Sequence, residues 1–253
     1  MTWFSRLFAG QSAPGVALTT RQQQCIAAWQ QLPAPDLRRS HYRCRYVVVD
    51  VETSGINVRT DRLYTIGAVG LVDGQIDFRD TLQLILASAA PTSEAATAAG
   101  DAVPAPVAGP QAVEALIAFL QFVGKAPLVA YNVPFVAAMV ERVLAEGLGI
   151  EFALPWIDLE WVMPDLFRDI DSTQGRLDAW LTHFEIDSIH RHNAVSDAYA
   201  TAQLLQVTIA RGARKAFETP ASLLELEQAR RHLHQSSSDG GPAMADYSLP
   251  LPS

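Results

Sequence analysis

Val47-Val48-Val49-Asp50-Val51-Glu52-Thr53-Ser54-Gly55 is the stretch on which the reading of this chain turns. Three β-branched residues lead into two carboxylates spaced i, i+2, and a Ser-Gly turn follows. The apolar run reads as a buried strand. Side chains alternate faces along a strand, so Asp50 and Glu52 point the same way. Two acids on one face at the end of an apolar strand are unfavourable unless something positive lies between them. A hard divalent cation such as Mg²⁺ or Mn²⁺ answers that need. An ordinary strand ending, with one exposed acid and one turn acid, is the plainer alternative.

Outward from this strand the chain alternates elements. A helix opens at Thr19 or Thr20, either of which can cap it, with Cys25, Ile26, Trp29 and Leu32 at helical spacing, and Pro33 and Pro35 close it. After the Asp50 strand, residues 61–72 read as a second strand. Asp73-Gly74 is a two-residue hairpin turn. A third strand at 75–86 places Ile76, Phe78, Leu82, Leu84 and Leu86 on one face. Residues 87–110 are rich in Ala, Pro, Gly and Thr and read as a flexible insertion. Beyond them come a helix near 111–123, a strand at 127–131, a helix at 133–147 ending at Gly147 or Gly149, and a strand at 156–159. Helices near 160–168, 174–184, 193–212 and 219–233 complete the pattern, and the segment after Gln235 reads as a disordered tail. Three sequential strands followed by helix–strand alternation imply an α/β fold. Its mixed sheet is antiparallel at one side and parallel at the other, with helices packed against it. Acids at the carboxyl end of the first strand lie where open α/β sheets place their sites.

Composition narrows the function classes. The chain has 253 residues, 49% of them hydrophobic, enough for a sizeable core. No apolar run suggests a membrane span, and the apolar start at 1–10 is too short for a secretory signal; it reads as a frayed terminus or a small docking segment. Cys25 and Cys44 form no disulfide framework and no metal-ligand spacing, which fits a reducing cytoplasm. The net charge of −8 argues against a general electrostatic nucleic-acid binder, though not against an enzyme gripping a strand end through metal ions. The one basic cluster, Arg38-Arg39-Ser40-His41-Tyr42-Arg43-Cys44-Arg45, could meet phosphates near the site or be a solvated linker.

A second constellation lies at His192-Asn193-Ala194-Val195-Ser196-Asp197-Ala198, continuing to Thr201-Ala202. Asp197 falls in the first turn of a long helix, where the dipole favours an anion. His192, five residues earlier in the entering loop, has the titration range of a general base.

These two stretches together resemble the DEDDh-type 3′–5′ exonucleases, which include the proofreading subunit of bacterial DNA polymerase III. Asp50-Val51-Glu52-Thr53-Ser54-Gly55 with Ile66-Gly67 is similar to the family's first motif, and His192 through Leu205 to its third. The resemblance spans about residues 45–210. It implies a ribonuclease H-like sheet of five strands, three antiparallel and then parallel. The exonuclease-like domain would cover 45–213, between an N-terminal helical extension at 1–44, a C-terminal helix at 214–234 and a tail at 235–253. It also implies that Asp50, Glu52 and Asp197 hold Mg²⁺ or Mn²⁺, that Asp50 bridges to a second ion, and that His192 deprotonates the attacking water. Thr53, Ser54, Asn132 and Phe135 would contact substrate: the 3′ end of single-stranded DNA or RNA, hydrolysed to nucleoside 5′-monophosphates. A polymerase or other protein partner belongs to the same expectation.

The second motif departs from the family. In Tyr131-Asn132-Val133-Pro134-Phe135-Val136 the Asn and Phe fall in place, while Val136 holds the position of a carboxylate and the nearest acid downstream is Glu141. The family normally uses that carboxylate for the second ion. Asp158 on the last strand could stand in as a ligand, but its position before a helix favours a capping role. The reading is therefore a metal-dependent exonuclease, weak or atypical. Its alternative is a catalytically silent exonuclease-like domain that binds nucleic-acid ends or a protein partner.

Overall fold

The structure, a computed structural model, describes residues 17–86, 109–170, 176–190 and 193–239. The expected insertion at 87–110 and the tail beyond Asp239 lie almost wholly outside these residues. Thr19 caps the first helix, α1 (Thr20–Gln30), through a reciprocal box with Gln22. Strand β1 (Arg45–Thr53) follows, then β2 (Leu63–Val72) and β3 (Gln75–Ile85). Helix α2 (Pro110–Val123), strand β4 (Leu128–Ala130), helix α3 (Val133–Leu148) and strand β5 (Trp156–Asp158) alternate after them. Helices α4 (Leu159–Leu166), α5 (Leu177–His183), α6 (Ala194–Arg214) and α7 (Pro220–Asp239) close the described chain.

The five strands form one sheet in the order β3-β2-β1-β4-β5. β1 is antiparallel to β2 and parallel to β4, and β4 is parallel to β5. This is the mixed, helix-flanked ribonuclease H-like sheet that the strand pattern and the family resemblance implied. Period-two alternation along β1 divides the core. Val47 and Val49 pack in the layer that holds α1, α2 and α3, whereas Tyr46 and Val48 pack in the layer that holds α4, α5 and α6. Asp50 and Glu52 continue the second series and so face α6 at the carboxyl end of β1.

One expectation fails on β3. Leu82, Leu84 and Leu86 pack on the α1–α2 side, but Ile76 packs on the α6 side, and Phe78 is exposed beside Tyr199. Val69 pairs with Thr81 while Leu71 pairs with Ile76, so the register slips by an odd number of residues and the faces exchange. The bulge is held by Asp80, which accepts two hydrogen bonds from the Arg45 guanidinium at 2.9 Å each. Gly70 leaves the room: a Cβ there would fall 1.8 Å from the Asp80 carboxylate.

Smaller boundaries also move. β2 begins at Leu63 rather than Asp61, because the Asp61 carboxylate is engaged in the preceding loop by the Ser54 hydroxyl and the Asn57 N–H. α7 continues past Gln235 to Asp239, and the Ser236 hydroxyl bonds back to the His232 carbonyl at 3.0 Å. Among the described residues no helix is long and apolar enough to cross a membrane.

Candidate active site

β1 delivers Asp50 and Glu52 to one face, and α6 must come close enough to bring Asp197 to them. Gly67 makes this approach possible. It sits opposite Asp50 in the β1–β2 register, and a Cβ on it would lie 2.2 Å from the carbonyl carbon and oxygen of Ala194. The backbone at the start of α6 thus rests on bare strand backbone. Asn193 caps that helix by accepting the Ser196 N–H at 3.1 Å, and Asp197 stands in its first turn. The result is a cluster in which Asp50, Glu52 and Asp197 each offer a carboxylate oxygen, all within 4.8 Å of one another.

The electrostatics of this cluster are unfavourable by themselves. Burial, then the Asp197 charge, then the Glu52 charge push the Asp50 carboxyl up to about 8. A backbone hydrogen bond from Val51 opposes them and does not prevail. Three converging carboxylates are the donor set that a hard divalent cation takes, so the residues present fit such an ion.

The remaining expected residues are placed as follows. The Thr53 hydroxyl donates to the Gly55 carbonyl at 2.7 Å, and the Ser54 hydroxyl donates to Asp61 at 2.8 Å while accepting from the Arg62 N–H. Both hydroxyls therefore shape the loop that leaves β1. Arg142 of α3 fixes the same loop through the Val58 and Asp61 carbonyls. Asn132 has left-handed backbone (φ 62°) and its side-chain oxygen caps α3 at Phe135. Phe135 is half-buried and Val136 is 2% exposed, both packed in the α1–α3 layer with Val47 and Val49. Glu141 stands outside the acidic cluster; burial and then Glu151 push its carboxyl up to about 7. His192 lies outside the described residues.

Asp158 is a cap and not a ligand. It is fully buried, accepts the N–H groups of Asn132, Val133 and Glu160 at 3.1 Å, and pairs with Arg231 at 2.8 Å. It thereby fastens the starts of α3 and α4 together. The basic cluster at 38–45 is also removed from the site. It enters β1 at the amino end, about 16 Å of strand from Asp50, and His41 within it is buried between the Tyr46 hydroxyl and the Phe217 carbonyl.

Residues 47–205 match the family model described as the RNase T-type exonuclease. The chain belongs to the DEDDh-type 3′–5′ exonuclease family. Among its curated relatives is the PolC-type DNA polymerase III of Clostridium perfringens (strain 13 / Type A), 32% identical over 162 residues, which are 64% of this chain and 11% of that protein. The PolC-type DNA polymerase III of Caldanaerobacter subterraneus subsp. tengcongensis is 31% identical over 160 residues, 63% of this chain and 11% of that protein. The chain thus spans about a tenth of the length of these relatives. Among solved structures, the zinc-bound E. coli ExoI–ssDNA complex superposes with a TM-score of 0.53 at 17% identity, covering 78% of this chain and 45% of that one. The nuclease domain of 3′hExo, a DEDDh family member bound to rAMP, gives a TM-score of 0.50 at 16% identity, covering 69% and 96%. At these identities the structural likeness establishes the exonuclease fold.

Two features of this candidate site had roles that the sequence reading did not assign. Gly67 was visible in the first motif, and a glycine inside a strand is itself a sign of close backbone approach. Ser188, whose hydroxyl donates to Asp197 at 2.8 Å, carried no signal in its spacing.

Proposed function

We propose that this chain is a metal-dependent 3′–5′ exonuclease that hydrolyses the terminal phosphodiester of single-stranded DNA or RNA to nucleoside 5′-monophosphates. The observation that carries the reading is the convergence of Asp50, Glu52 and Asp197, with Asp50 pushed up to about 8 by its burial and its acidic neighbours. A cluster of this kind is a liability to the fold unless a cation occupies it. Mg²⁺ or Mn²⁺ held by these three carboxylates would polarise the scissile phosphate and activate water. Asp50, Glu52 and Asp197 together present the carboxylate oxygens that would hold the ion. His192, entering five residues before Asp197, takes the proton of the attacking water. Asn132 and Phe135 at the start of α3, and the loop shaped by Thr53 and Ser54, receive the strand end. A reducing cytoplasm suits Cys25 and Cys44, which are both free thiols. The PolC-type relatives support a polymerase or other protein partner.

Val136 supports a second reading, an exonuclease-like domain that binds strand ends without cutting. The residue stands where the family pattern has a carboxylate, and it is built into the apolar layer rather than offered to a metal. Replacing a group that secures a metal commonly costs about 10–100-fold in affinity or activity.

The two readings separate in one assay. Native chain, Asp50→Ala and Val136→Asp are incubated with 3′-labelled single-stranded DNA and RNA under Mg²⁺ and under Mn²⁺, with circular dichroism confirming that each is folded. Release of mononucleotides that Asp50→Ala abolishes supports the enzyme. An inert native chain that gains activity in Val136→Asp supports the silent domain. Inertness of all three, together with no Mn²⁺ binding by calorimetry, overturns both.

A further inference from the structure

We infer that Ser188 and Ser196 form a directed hydroxyl relay that positions Asp197 for metal binding and ties it to the backbone N–H of His190. The inference rests on the metal-holding role proposed above for Asp197. Its direction follows from counting hydrogens. The Ser188 hydroxyl has one proton, and it goes to Asp197 Oδ1 at 2.8 Å. Ser188 Oγ also stands 3.2 Å from Ser196 Oγ, and in that contact it can only accept. Ser196 must therefore donate to Ser188, which leaves its own lone pairs to accept the His190 N–H at 2.9 Å. The relay runs from the His190 N–H through Ser196 and Ser188 to Asp197. Each donor strengthens the next in a half-buried setting, where such chains polarise cooperatively.

The delivery of Ser188 is built into the end of α5. Glu185 takes left-handed backbone (φ 54°), Ile186 N–H reaches back to the Leu181 carbonyl at 2.9 Å, and Ile186 packs into the same core layer as Leu181. This Schellman closure turns the chain toward α6 and sets Ser188 against Asp197 two residues later. One carboxylate oxygen of Asp197 is thus occupied by a donor of fixed direction, which limits the rotation of the group that faces Asp50 and Glu52. Groups that orient a ligand in this way commonly change metal affinity or activity by about 10–100-fold when removed.

The test is a Mn²⁺ titration by calorimetry on the full chain, comparing native, Ser188→Ala, Ser188→Thr and Ser196→Ala, with Asp197→Asn as the reference for a lost ligand. Ser188→Ala should weaken Mn²⁺ binding by about tenfold or more, and Ser188→Thr, which keeps the hydroxyl, should stay within about threefold of native. Ser196→Ala should fall between them. In the nuclease assay the Mn²⁺ concentration for half-maximal rate should rise in parallel in Ser188→Ala, while kcat at saturating Mn²⁺ changes far less. A purely structural role for Ser188 would lower the folded fraction without moving the affinity of the folded molecules. Native affinity in Ser188→Ala, with binding lost in Asp197→Asn, overturns the relay and leaves the metal reading standing. Absence of Mn²⁺ binding in the native chain overturns the metal reading and the relay with it.

Discussion

Two acids stand at the carboxyl ends of two strands of the same sheet, Asp50 near the end of β1 and Asp158 at the end of β5, with β4 between them, and the protein treats them in opposite ways. Asp158 is answered from inside the chain. Three backbone N–H groups and the Arg231 guanidinium meet its oxygens, and Glu227 takes its own backbone N–H at 2.8 Å. Arg231 spans both acids, reaching Glu227 at 2.9 Å. Among the described residues, the charged groups that act on Asp50 are instead Asp197 and Glu52, and both push its carboxyl up. A charge that serves the fold is neutralised by the fold, whereas a charge left to be neutralised from outside marks a site.

The comparison can be broken first with pH. A carboxyl whose folded pKa exceeds its unfolded one holds its proton more tightly in the folded state. Stability is then present at low pH and lost as pH rises from about 4 to about 8, the window set by Asp50. Metal-free protein should lose up to about 6 kcal/mol across this window in urea titrations, since a tenfold change in proton affinity between the folded and unfolded states is worth about 1.4 kcal/mol. Burial also raises the Asp158 and Glu227 carboxyls, with the same sign. The Asp50 share is therefore read as the difference from Asp50→Asn, which should flatten the slope. Saturating Mn²⁺ should flatten it in the native chain and leave Asp50→Asn unchanged. Equal slopes in native and variant would remove Asp50 from the account.

Arg231→Met should make Asp158 behave as Asp50 does. Removing one partner of a buried ion pair costs about 3–5 kcal/mol, because the other charge stays behind uncompensated. The loss should grow with rising pH, and unlike that of the native acidic cluster it should not be recovered by Mn²⁺. Recovery by metal would mean that Asp158 can join a cation site after all.

How far the sequence discloses this contrast depends on the range of each interaction. Asp50 and Glu52 are readable because strand periodicity alone sets two residues two apart on one face. Asp197 is readable because the start of a helix is marked by its cap. The place of Asp158 before a helix favoured a cap, but its pairing with Arg231, which a distant helix brings to it, had no local trace. The exchange of faces along β3 was hidden for a related reason: apolar alternation continues through Ile76, Phe78 and Leu82, and only the pairing with β2 reveals the bulge at Gly70. Ser188 reaches Asp197 through the closure of α5, a tertiary event without a periodic trace. Val136 was legible as a departure, and its burial among Val47 and Val49 came only with the packing.

Gly67 sharpens the comparison by testing how the acids are gathered. Gly67→Ala places a methyl group 2.2 Å from the Ala194 backbone, and neither the strand nor the helix start can yield locally. Overpacking of this kind costs about 1–3 kcal/mol. Because the displaced element carries Asp197, Mn²⁺ affinity should fall together with stability in Gly67→Ala. Arg231→Met should lower stability with much less effect on Mn²⁺ affinity of the folded molecules. A Gly67→Ala protein with native Mn²⁺ affinity would show that Asp197 is placed independently of this contact.

Glu185 offers the smallest and most selective change, because it lies on the support of Asp197 without touching the cluster. Its left-handed backbone is costly for a residue with a Cβ, and its negative charge stands at the carboxyl end of α5, where the helix dipole is also negative. Glu185→Gly relieves both and gains the residue favoured at that position of a Schellman closure. The expected outcome is a stabilisation of about 0.5–1 kcal/mol by urea titration. Mn²⁺ affinity should stay native, since the Ile186 contact and the Ser188 bond do not depend on the Glu185 side chain. A gain in stability accompanied by weaker Mn²⁺ binding would mean that the strained turn itself sets the reach of Ser188. The strain at Glu185 would then belong to the site and not to the fold.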